Sequence, residues 1–512
     1  MVRHLYILLF FLLAASAHAQ EVKRIEILNA DALRSDVSKG KGKEANKLVG
    51  NVRLKQEDVI LNCDSALFYT KINAVDAFGH VHIEQGDSVD IYSDSLKYNG
   101  DKKIADLYSN VTLRQGNAVL TTPRLTYWMD KKMGTYFNGG HLIDKDVDLT
   151  SYRGYYYSDT KTAFFKKDVV LKSKDYTLYS DTLSYNTETE ISTFYGPTKI
   201  VTDTTTIHCE SGWYNTKTDI AAFGKNTILE SSPQTLFTDS LYYEKVTGFG
   251  KALKSFTWID SSMDIILKGR LAVFKEKEEH ITATDQALLI YLLDGDSLYI
   301  TADTLISNKG IDSIRNLYAF HHVKIFKSDL QGLCDSLFFT FRDSVMWMYR
   351  DPILWNEENQ LTGDTITMTM RNEKIDQVEL KKNGFIVNES DTGIYNQIKG
   401  KNIFGYFENS KLDRMLAKGN GESNYYGKDD SGAYMGLNEA ICSSMWLYMD
   451  STGVRKVTFL NQPSATFIPM QQIVPKDHLL KGFNWRSAER PLKKEDIMSW
   501  LPKEAVISGN KQ

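Results

Sequence analysis

Aspartate recurs along the chain at the head of a short pattern: Asp, Ser or Thr, an apolar residue, any residue, and often an aromatic. Clean copies begin at Asp94, Asp181 and Asp239. Repeated aspartates bind calcium in some β-rolls, but those rolls need glycine-rich nonapeptides, which this sequence lacks. We favour the interpretation that the acid and the hydroxyl beside it satisfy backbone groups where a strand begins.

Histidine is the other potential metal ligand, and it occurs in two close pairs, His80-x-His82 and His321-His322. Zinc sites need three or four ligands of this kind, and no cysteine or carboxylate completes a defined set here. The sequence also contains neither His-Glu-x-x-His nor Gly-x-Ser-x-Gly, the motifs of zinc peptidases and serine hydrolases. We therefore predict no metal, no cofactor and no catalytic residue, so that the protein is not an enzyme.

Three of the four cysteines occupy one slot of the pattern. Cys63, Cys209 and Cys334 each stand one residue before the acid. They lie several repeats apart, and strands about 4.8 Å apart would hold their sulfurs beyond disulfide reach. They are interpreted as small interior residues, and Cys442 has no assigned role.

The spacing of the pattern predicts the architecture. Copies start at positions 64, 94, 123, 152, 181, 210, 239 and 269, and further copies start at 303, 335 and 364, those at 123, 152, 210, 269 and 303 being weaker. A nearly constant step of 29 or 30 residues is the signature of a repeat fold in which each repeat packs on the next. The looser step after 269 indicates an insertion or a junction within Glu276–Asp294.

Within each repeat the side chains alternate. Leu96 and Tyr98 point to one face of a strand while Ser95 and Lys97 point to the other, and Gly-Asn elements such as Gly50-Asn51 mark bends or bulges. Stacked repeats would then line one interior with a ladder of apolar side chains. From the residues alone, this ladder is equally core filling or a lipid-contact surface. Its members are Leu96, Tyr98, Leu125, Tyr127, Tyr156, Leu183, Tyr185, Tyr214, Leu241 and Tyr243.

The ends of the chain depart from the repeat. Arg3, the apolar run Leu5–Ala15 and Ala17-His18-Ala19 are typical of a secretory signal peptide over residues 1–19. We divide the remainder into jellyroll repeats over 20–270, further repeats over 271–423 after the insertion, and an irregular, extended segment over 424–512. Pro491 is expected to open a short helix, Leu492–Trp500. The net charge of −4 argues against nucleic acid as a partner.

Taken together, these motifs resemble a known family. The Asn-Ala-Asp-x-Leu start (Asn29 to Leu33), Gly-Asn-Val (Gly50 to Val52) and recurring Asp-Ser-Leu-x-Tyr are similar to OstA/LptA-like lipopolysaccharide-transport proteins, especially the long versions of Bacteroidetes. The similarity extends over residues 22 to 420, and Gly482-Phe483-Asn484-Trp485 with Arg490-Pro491 resembles the ends of those long versions.

The resemblance implies an all-β fold: an elongated repeat β-jellyroll of two stacked antiparallel sheets, open along one side. It implies a periplasmic protein that holds lipid A acyl chains between the sheets. It also implies a bridge from an inner-membrane export complex to an outer-membrane barrel translocon through edge strands. We expect Val22–Leu33 to be one docking edge.

Other functions remain open at this point. Alternating strands and many aromatics also fit an outer-membrane β-barrel, although the face opposite the ladder carries Asp94, Ser95 and Lys97. A structural or adhesive β-solenoid without lipid, and an enzyme on a β-helix, are further alternatives. The Asp-Ser/Thr-Leu pattern is also similar to an O-glycosylation acceptor of exported proteins.

Overall fold

The computed structural model describes residues 23–35, 45–86, 89–310, 314–372, 374–409, 411–429, 431–450 and 453–498. The predicted signal peptide, 1–19, lies outside these residues. Nowhere in the described parts is a helix long and apolar enough to cross a membrane.

The chain separates into two compact units, residues 1–192 and 193–512, and the predicted division at residue 270 stays a prediction. The first unit contains β1 (Glu26–Asn29), β2 (Ala32–Ser35), β3 (Asn46–Gln56), β4 (Val59–Tyr69), β5 (Ala74–Gln85), β6 (Val89–Asn99), β7 (Ile104–Gln115), β8 (Ala118–Trp128), β9 (Met133–Tyr136), β10 (Gly140–Asp144), β11 (Val147–Ser151), β12 (Arg153–Tyr157), β13 (Thr162–Lys172) and β14 (Thr177–Asn186). The boundary itself falls within β15 (Ile191–Phe194).

The second unit is built in the same way. Its strands are β16 (Thr198–Val201), β17 (Thr206–Cys209), β18 (Ser211–Asn215), β19 (Ile220–Ser231), β20 (Gln234–Glu244), β21 (Phe249–Asp260), β22 (Ile265–Lys275), β23 (His280–Leu293), β24 (Asp296–Lys309), β25 (Arg315–Lys327), β26 (Leu330–Thr340), β27 (Val345–Tyr349), β28 (Ile353–Asn356), β29 (Asn359–Thr362), β30 (Thr365–Arg371), β31 (Lys374–Asp391), β32 (Ile394–Glu408), β33 (Lys411–Lys428), β34 (Tyr434–Asp450), β35 (Gly453–Leu460) and β36 (Ser464–Pro469).

Each long strand bends at its middle. Between β6 and β7, Ile91 pairs with Leu113 and Leu96 with Leu107, and the register shifts between these two sets. The bulged side of the bend holds two residues at positive φ, Ser109 and Asn110. A bulge bends the strand and increases its twist, so each strand has two straight halves that meet at a corner.

Burial on both sides of the corner shows that the halves face each other. In β7, Ala105 and Leu107 before the bend and Val111 and Leu113 after it are all buried. The two halves of successive strands therefore form two facing antiparallel sheets with one apolar interior between them. The all-β jellyroll that the family resemblance implied is thus the fold of each unit.

The C-terminal region keeps strands for longer than the sequence suggested. The expectation of irregular structure from residue 424 is wrong for β33 to β36, which continue the sheet to Pro469. Of these strands, β33 has 18 residues and β34 has 17, and their length obscures the 29-residue period. Irregular structure begins at Met470. It contains a four-residue helix, α1 (Lys494–Ile497), inside the longer helix predicted over Leu492–Trp500.

The extra residues of Glu276–Asp294 form a short 3-10 helix, Glu276–Glu278, and the strand β23. They lengthen the hairpin of β23 and β24, in which each strand has 14 residues. The insertion predicted here is therefore an extension of two strands.

Candidate functional site

The ladder lines the interior of each unit. In the first unit Leu96, Tyr98, Leu125, Tyr127, Tyr156, Leu183 and Tyr185 are all buried, and in the second unit Leu241 is buried while Tyr214 and Tyr243 are half-buried. Lys97, on the opposite side of its strand, is exposed. The alternation inferred from the sequence therefore places these side chains on one inner face, as predicted.

The tyrosine hydroxyls of the first unit are bonded in a repeating way. Three of them, Tyr98, Tyr127 and Tyr156, each donate to a glutamine, and that glutamine's amide donates to the backbone carbonyl two residues beyond the tyrosine. The hydroxyl bonds join Tyr98 to Gln56 (2.5 Å), Tyr127 to Gln85 (3.1 Å) and Tyr156 to Gln115 (2.6 Å). The amide bonds join Gln56 to Gly100 (3.0 Å), Gln85 to Met129 (2.9 Å) and Gln115 to Ser158 (3.1 Å).

These bonds cross between the two sheets at the edge away from the corners. The glutamines end strands just before one row of hairpin turns, and the tyrosines stand just before the other row. We call the line between the two rows the seam, and each Tyr–Gln pair a rung. Lys103 and Glu57 cross the same seam as an ion pair at 2.7 Å. The seam of the first unit is therefore closed by polar contacts over an apolar interior.

Burial determines the protonation state of the tyrosine hydroxyls in the rungs. It raises the pKa of Tyr127 and Tyr156 to about 12, because a phenolate would lose its hydration there. The hydroxyls consequently remain proton donors at any physiological pH. They can hold the glutamines, and they have no acid–base role near neutrality.

The fourth rung carries an acid where the others carry an amide. Asp144 stands 29 residues after Gln115, is buried, and accepts from Tyr185 at 3.0 Å. Burial raises the pKa of the Asp144 carboxyl above its ordinary value, against the lowering effect of the Tyr185 hydrogen bond. The carboxylate is therefore less stable in the folded protein than in the unfolded chain.

We expect Asp144→Asn to stabilise the first unit at neutral pH, because an amide keeps the acceptor without the buried charge. The melting temperature should rise by roughly 2–4 °C for each kcal/mol gained. Because the folded pKa is raised, wild-type stability is lost as pH rises through that pKa. The advantage of the variant should therefore shrink as the pH falls toward about 4, the ordinary range of an aspartate. Scanning calorimetry at several pH values checks this, with the exposed Asp146→Asn as the control. An advantage that grows in acid would contradict it.

The repeated acids lie at the corners, not at the seam. Asp64 accepts from His80 (2.7 Å), and Asp94 accepts from Asn110 (2.8 Å). The same contact recurs at Glu210–Asn226, Asp239–Ser255, Asp303–His322 and Asp364–Asn383. In each case the acid bonds a side chain of the bulge on the following strand, and so fixes the bend. This is a structural role, more specific than the backbone role predicted for the acid.

The backbone role belongs to the residue that precedes the first position of the motif, whether or not that position is an acid. Ser93, Thr122, Ser151, Ser180 and Thr238 each donate a hydroxyl to the carbonyl two residues later. Cys63, Cys209 and Cys334 occupy this slot and are buried free thiols. Cys442 donates to the Ser444 carbonyl in the same way, so the structure assigns the cysteine that the sequence left without a role.

The histidines bond separate acids. His80 contacts Asp64, whereas His82 contacts Asp90 at 2.8 Å and stacks on Tyr92. His321 and His322 diverge to Asp335 and Asp303. Among the residues that the structure describes, no group of three or more His, Cys, Asp or Glu side chains is arranged to hold a metal ion.

Two shallow clefts lie at the corners of the first unit. One of about 810 Å³ is lined by Asn110, Thr122 and His141, and one of about 560 Å³ by Asn51, Asp64 and His80, among others. Neither cleft is lined by a ladder residue.

The glutamines are the functional candidates that the sequence analysis missed. Gln56, Gln85 and Gln115 recur at steps of 29 and 30 residues, each at the end of a strand. That recurrence was the available signal. A polar residue with the period of the repeat, just before a turn, indicates a bonded position inside the repeat.

A family model described as OstA-like protein matches residues 22–181 and 178–269. Residues 22–269 are OstA-like. The resemblance inferred from the motifs is confirmed over this range, and the contacts at Asp303 and Asp364 repeat the same corner geometry beyond it.

Solved structures and curated proteins provide weaker support for the family than the family model does. The chain is similar to LptH of Pseudomonas aeruginosa, described as the LptA-homologous periplasmic component of a lipopolysaccharide transport device. The two share 16% identity over 22% of this chain and 80% of LptH, with a TM-score of 0.20, a score too low to support an argument. No curated protein matches the chain.

Proposed function

We propose that this OstA-like protein is a periplasmic carrier of lipopolysaccharide that bridges the inner and outer membranes and catalyses no reaction. The family match of residues 22–269 carries the proposal. The apolar interior of each unit supports it, because its side chains offer lipid A acyl chains a dry, repeating surface. The predicted signal peptide would deliver the protein to the periplasm.

The energetics favour entry of an acyl chain between the sheets. Opening one rung breaks two hydrogen bonds, each worth about 0.5–1.5 kcal/mol net. Burying an acyl chain returns about 0.8 kcal/mol per methylene, so about ten methylenes outweigh a rung several-fold. A chain can therefore replace the contact between the sheets locally, while the neighbouring rungs stay closed.

The regular period of the repeats also favours movement of a bound acyl chain along the interior. Each repeat presents nearly the same side chains, so shifting by one repeat changes the free energy of the bound chain little. Such a surface gives no direction. In this proposal direction comes from the inner-membrane export complex, since the sequence has no nucleotide-binding phosphate loop.

Edge strands are the proposed contacts with the membrane partners. The side chains of β1 and β2 are exposed throughout, including Leu28 and Leu33. Strand addition to such an edge is a common mode of recognition. This supports Val22–Leu33 as the docking edge for the inner-membrane complex, and β36 offers a second edge toward an outer-membrane translocon.

Site-specific photocrosslinking tests the proposed cargo. A photoreactive amino acid at Leu183 or Tyr127 should give lipopolysaccharide adducts in cells, because both positions face the interior. The matched control is Lys97, which is exposed on the outer side of β6. Equal adducts at Lys97, or none at the two interior positions, would refute an interior lipid site.

A further inference from the structure

The seam of the second unit is covered by the chain's own C-terminal segment. Residues 470–498, which we call the strap, run along it in the reverse direction of the repeats. His478 contacts Asn424, Asn484 contacts Gln360, Arg490 contacts Gln331, and Ile497 contacts Thr301. The strap therefore follows the line that the rungs occupy in the first unit.

Buried amides hold the strap by its backbone. Gln360 accepts from the Arg486 N–H (2.7 Å) and donates to the Asn484 carbonyl (2.6 Å). Gln397 accepts from the Leu480 N–H (2.8 Å) and donates to the His478 carbonyl (3.2 Å). Each amide thus bonds a carbonyl and the N–H two residues later. Both glutamines are 1% exposed, so these contacts are built into the interior edge.

The strap replaces a group that the later repeats lack. In the repeats that start at 94, 123, 152, 181, 210 and 239, the fifth position is tyrosine, as at Tyr98 and Tyr127. The equivalent positions in the later repeats are Val273, Ser307, Phe339 and Met368. No phenol is available there to bond an amide across the seam. The strap's backbone and Arg490 provide the missing partners.

The strap is attached at separate places rather than by a continuous ladder. His478 pairs with Glu439 and Arg486 with Asp351, and the ring centroids of Phe483 and Trp485 lie 5.0 and 5.6 Å from that of Tyr395. Arg490 bonds Gln331 and the Glu357 carbonyl, and Ile497 and Met498 pack with Leu288. Elsewhere the strap is exposed: Val474 is 58% and Leu492 78% exposed. A segment held at separate places opens more readily than a strand in the sheet.

We propose that the strap is a displaceable cover of the second unit's interior. It occupies the seam while the unit is empty, and it leaves when an amphiphile with an acyl chain enters between the sheets. This rests on the proposed function, because the ligand that displaces the strap is the cargo of that function. The first unit has its own rungs and opens without the strap.

Hydrogen exchange on the full chain, with cis-parinaric acid as a fluorescent acyl-chain probe, tests this. The probe should brighten on binding and raise exchange across 475–490, where Leu480 and Arg486 lose their bonds. The double variant Trp485→Ala/Arg490→Ala should bind the probe about tenfold more tightly, the factor that corresponds to losing one or two weak contacts. Gln360→Leu/Gln397→Leu removes a different set of strap contacts, the amide bonds to the backbone of residues 478–486, and should act alike.

Arg371→Ala is the matched control, since Arg371 forms an exposed ion pair with Asp376 and should change neither readout. Probe binding with unchanged exchange over 475–490, and unchanged affinity in both double variants, overturns the strap alone. No probe fluorescence in any protein instead overturns the proposed function, and the strap's role falls with it.

Discussion

Replacing Tyr127 by alanine is expected to lower the free energy of unfolding of the first unit by about 4 kcal/mol. Tyr127 is fully buried and bonds Gln85 across the seam. Truncation leaves a cavity the size of an aromatic ring. It also leaves the Gln85 carbonyl oxygen without its donor, which adds to the loss because an unpaired buried acceptor costs about 1–3 kcal/mol.

Urea denaturation measures this change when the unfolding of the first unit is monitored by hydrogen exchange of peptides from β7 and β8. Tyr179→Ala removes the same ring from a side chain that is 48% exposed, and should change stability by less than about 0.5 kcal/mol. A loss below about 1 kcal/mol for Tyr127→Ala, far under the usual cost of deleting a buried ring, would show that the ladder is not the core of the unit.

A double-mutant cycle separates the rung from the ring. Tyr127→Phe and Gln85→Leu should each cost about 1 kcal/mol, because each leaves a buried polar partner unpaired. Together they should cost less than their sum, since neither partner then remains. The same comparison at Tyr156 and Gln115 extends the measurement to a second rung.

The fold could be predicted from the sequence because one short motif recurs along the chain with a regular period. A step of 29 residues, with alternation inside each repeat, leaves one way to bury Leu96 and its equivalents. The bends could be predicted too: Gly50 and Asn51 were predicted as a bend from residue type, and both have positive φ. In both cases the information is local, or repeats regularly along the chain.

Contacts across the seam could not be predicted from the sequence in the same way. Tyr127 and Gln85 lie 42 residues apart, and nothing in a single strand says which polar side chain it meets on the facing sheet. The strap is a stronger case, because Gln360 and Asn484 are 124 residues apart and the strap has no period. Its docking depends on three-dimensional complementarity with amides that, in sequence, resemble any surface glutamine.

The second large effect on stability is expected at a corner, where a positive φ and a neighbouring side chain both require glycine. Gly79 has φ +76°, and a Cβ placed on it would lie 2.3 Å from the Asp64 carboxylate oxygen. That oxygen is held by His80 at 2.7 Å. Gly79→Ala should therefore cost about 3 kcal/mol, of which about 1 kcal/mol is left-handed backbone strain and the remainder is the clash with a fixed side chain.

Gly116 separates these two contributions. It has φ +60°, but a Cβ placed on it would have no neighbouring atom within 4 Å, so Gly116→Ala should show the backbone strain alone. Removing the obstacle with Asp64→Ala should reduce the cost of Gly79→Ala to nearly that of Gly116→Ala, although Asp64→Ala itself loses the His80 contact. Equal costs for the two glycine substitutions in the wild-type background would mean that the carboxylate moves freely. The acid at the head of each repeat would then not be what fixes the bend.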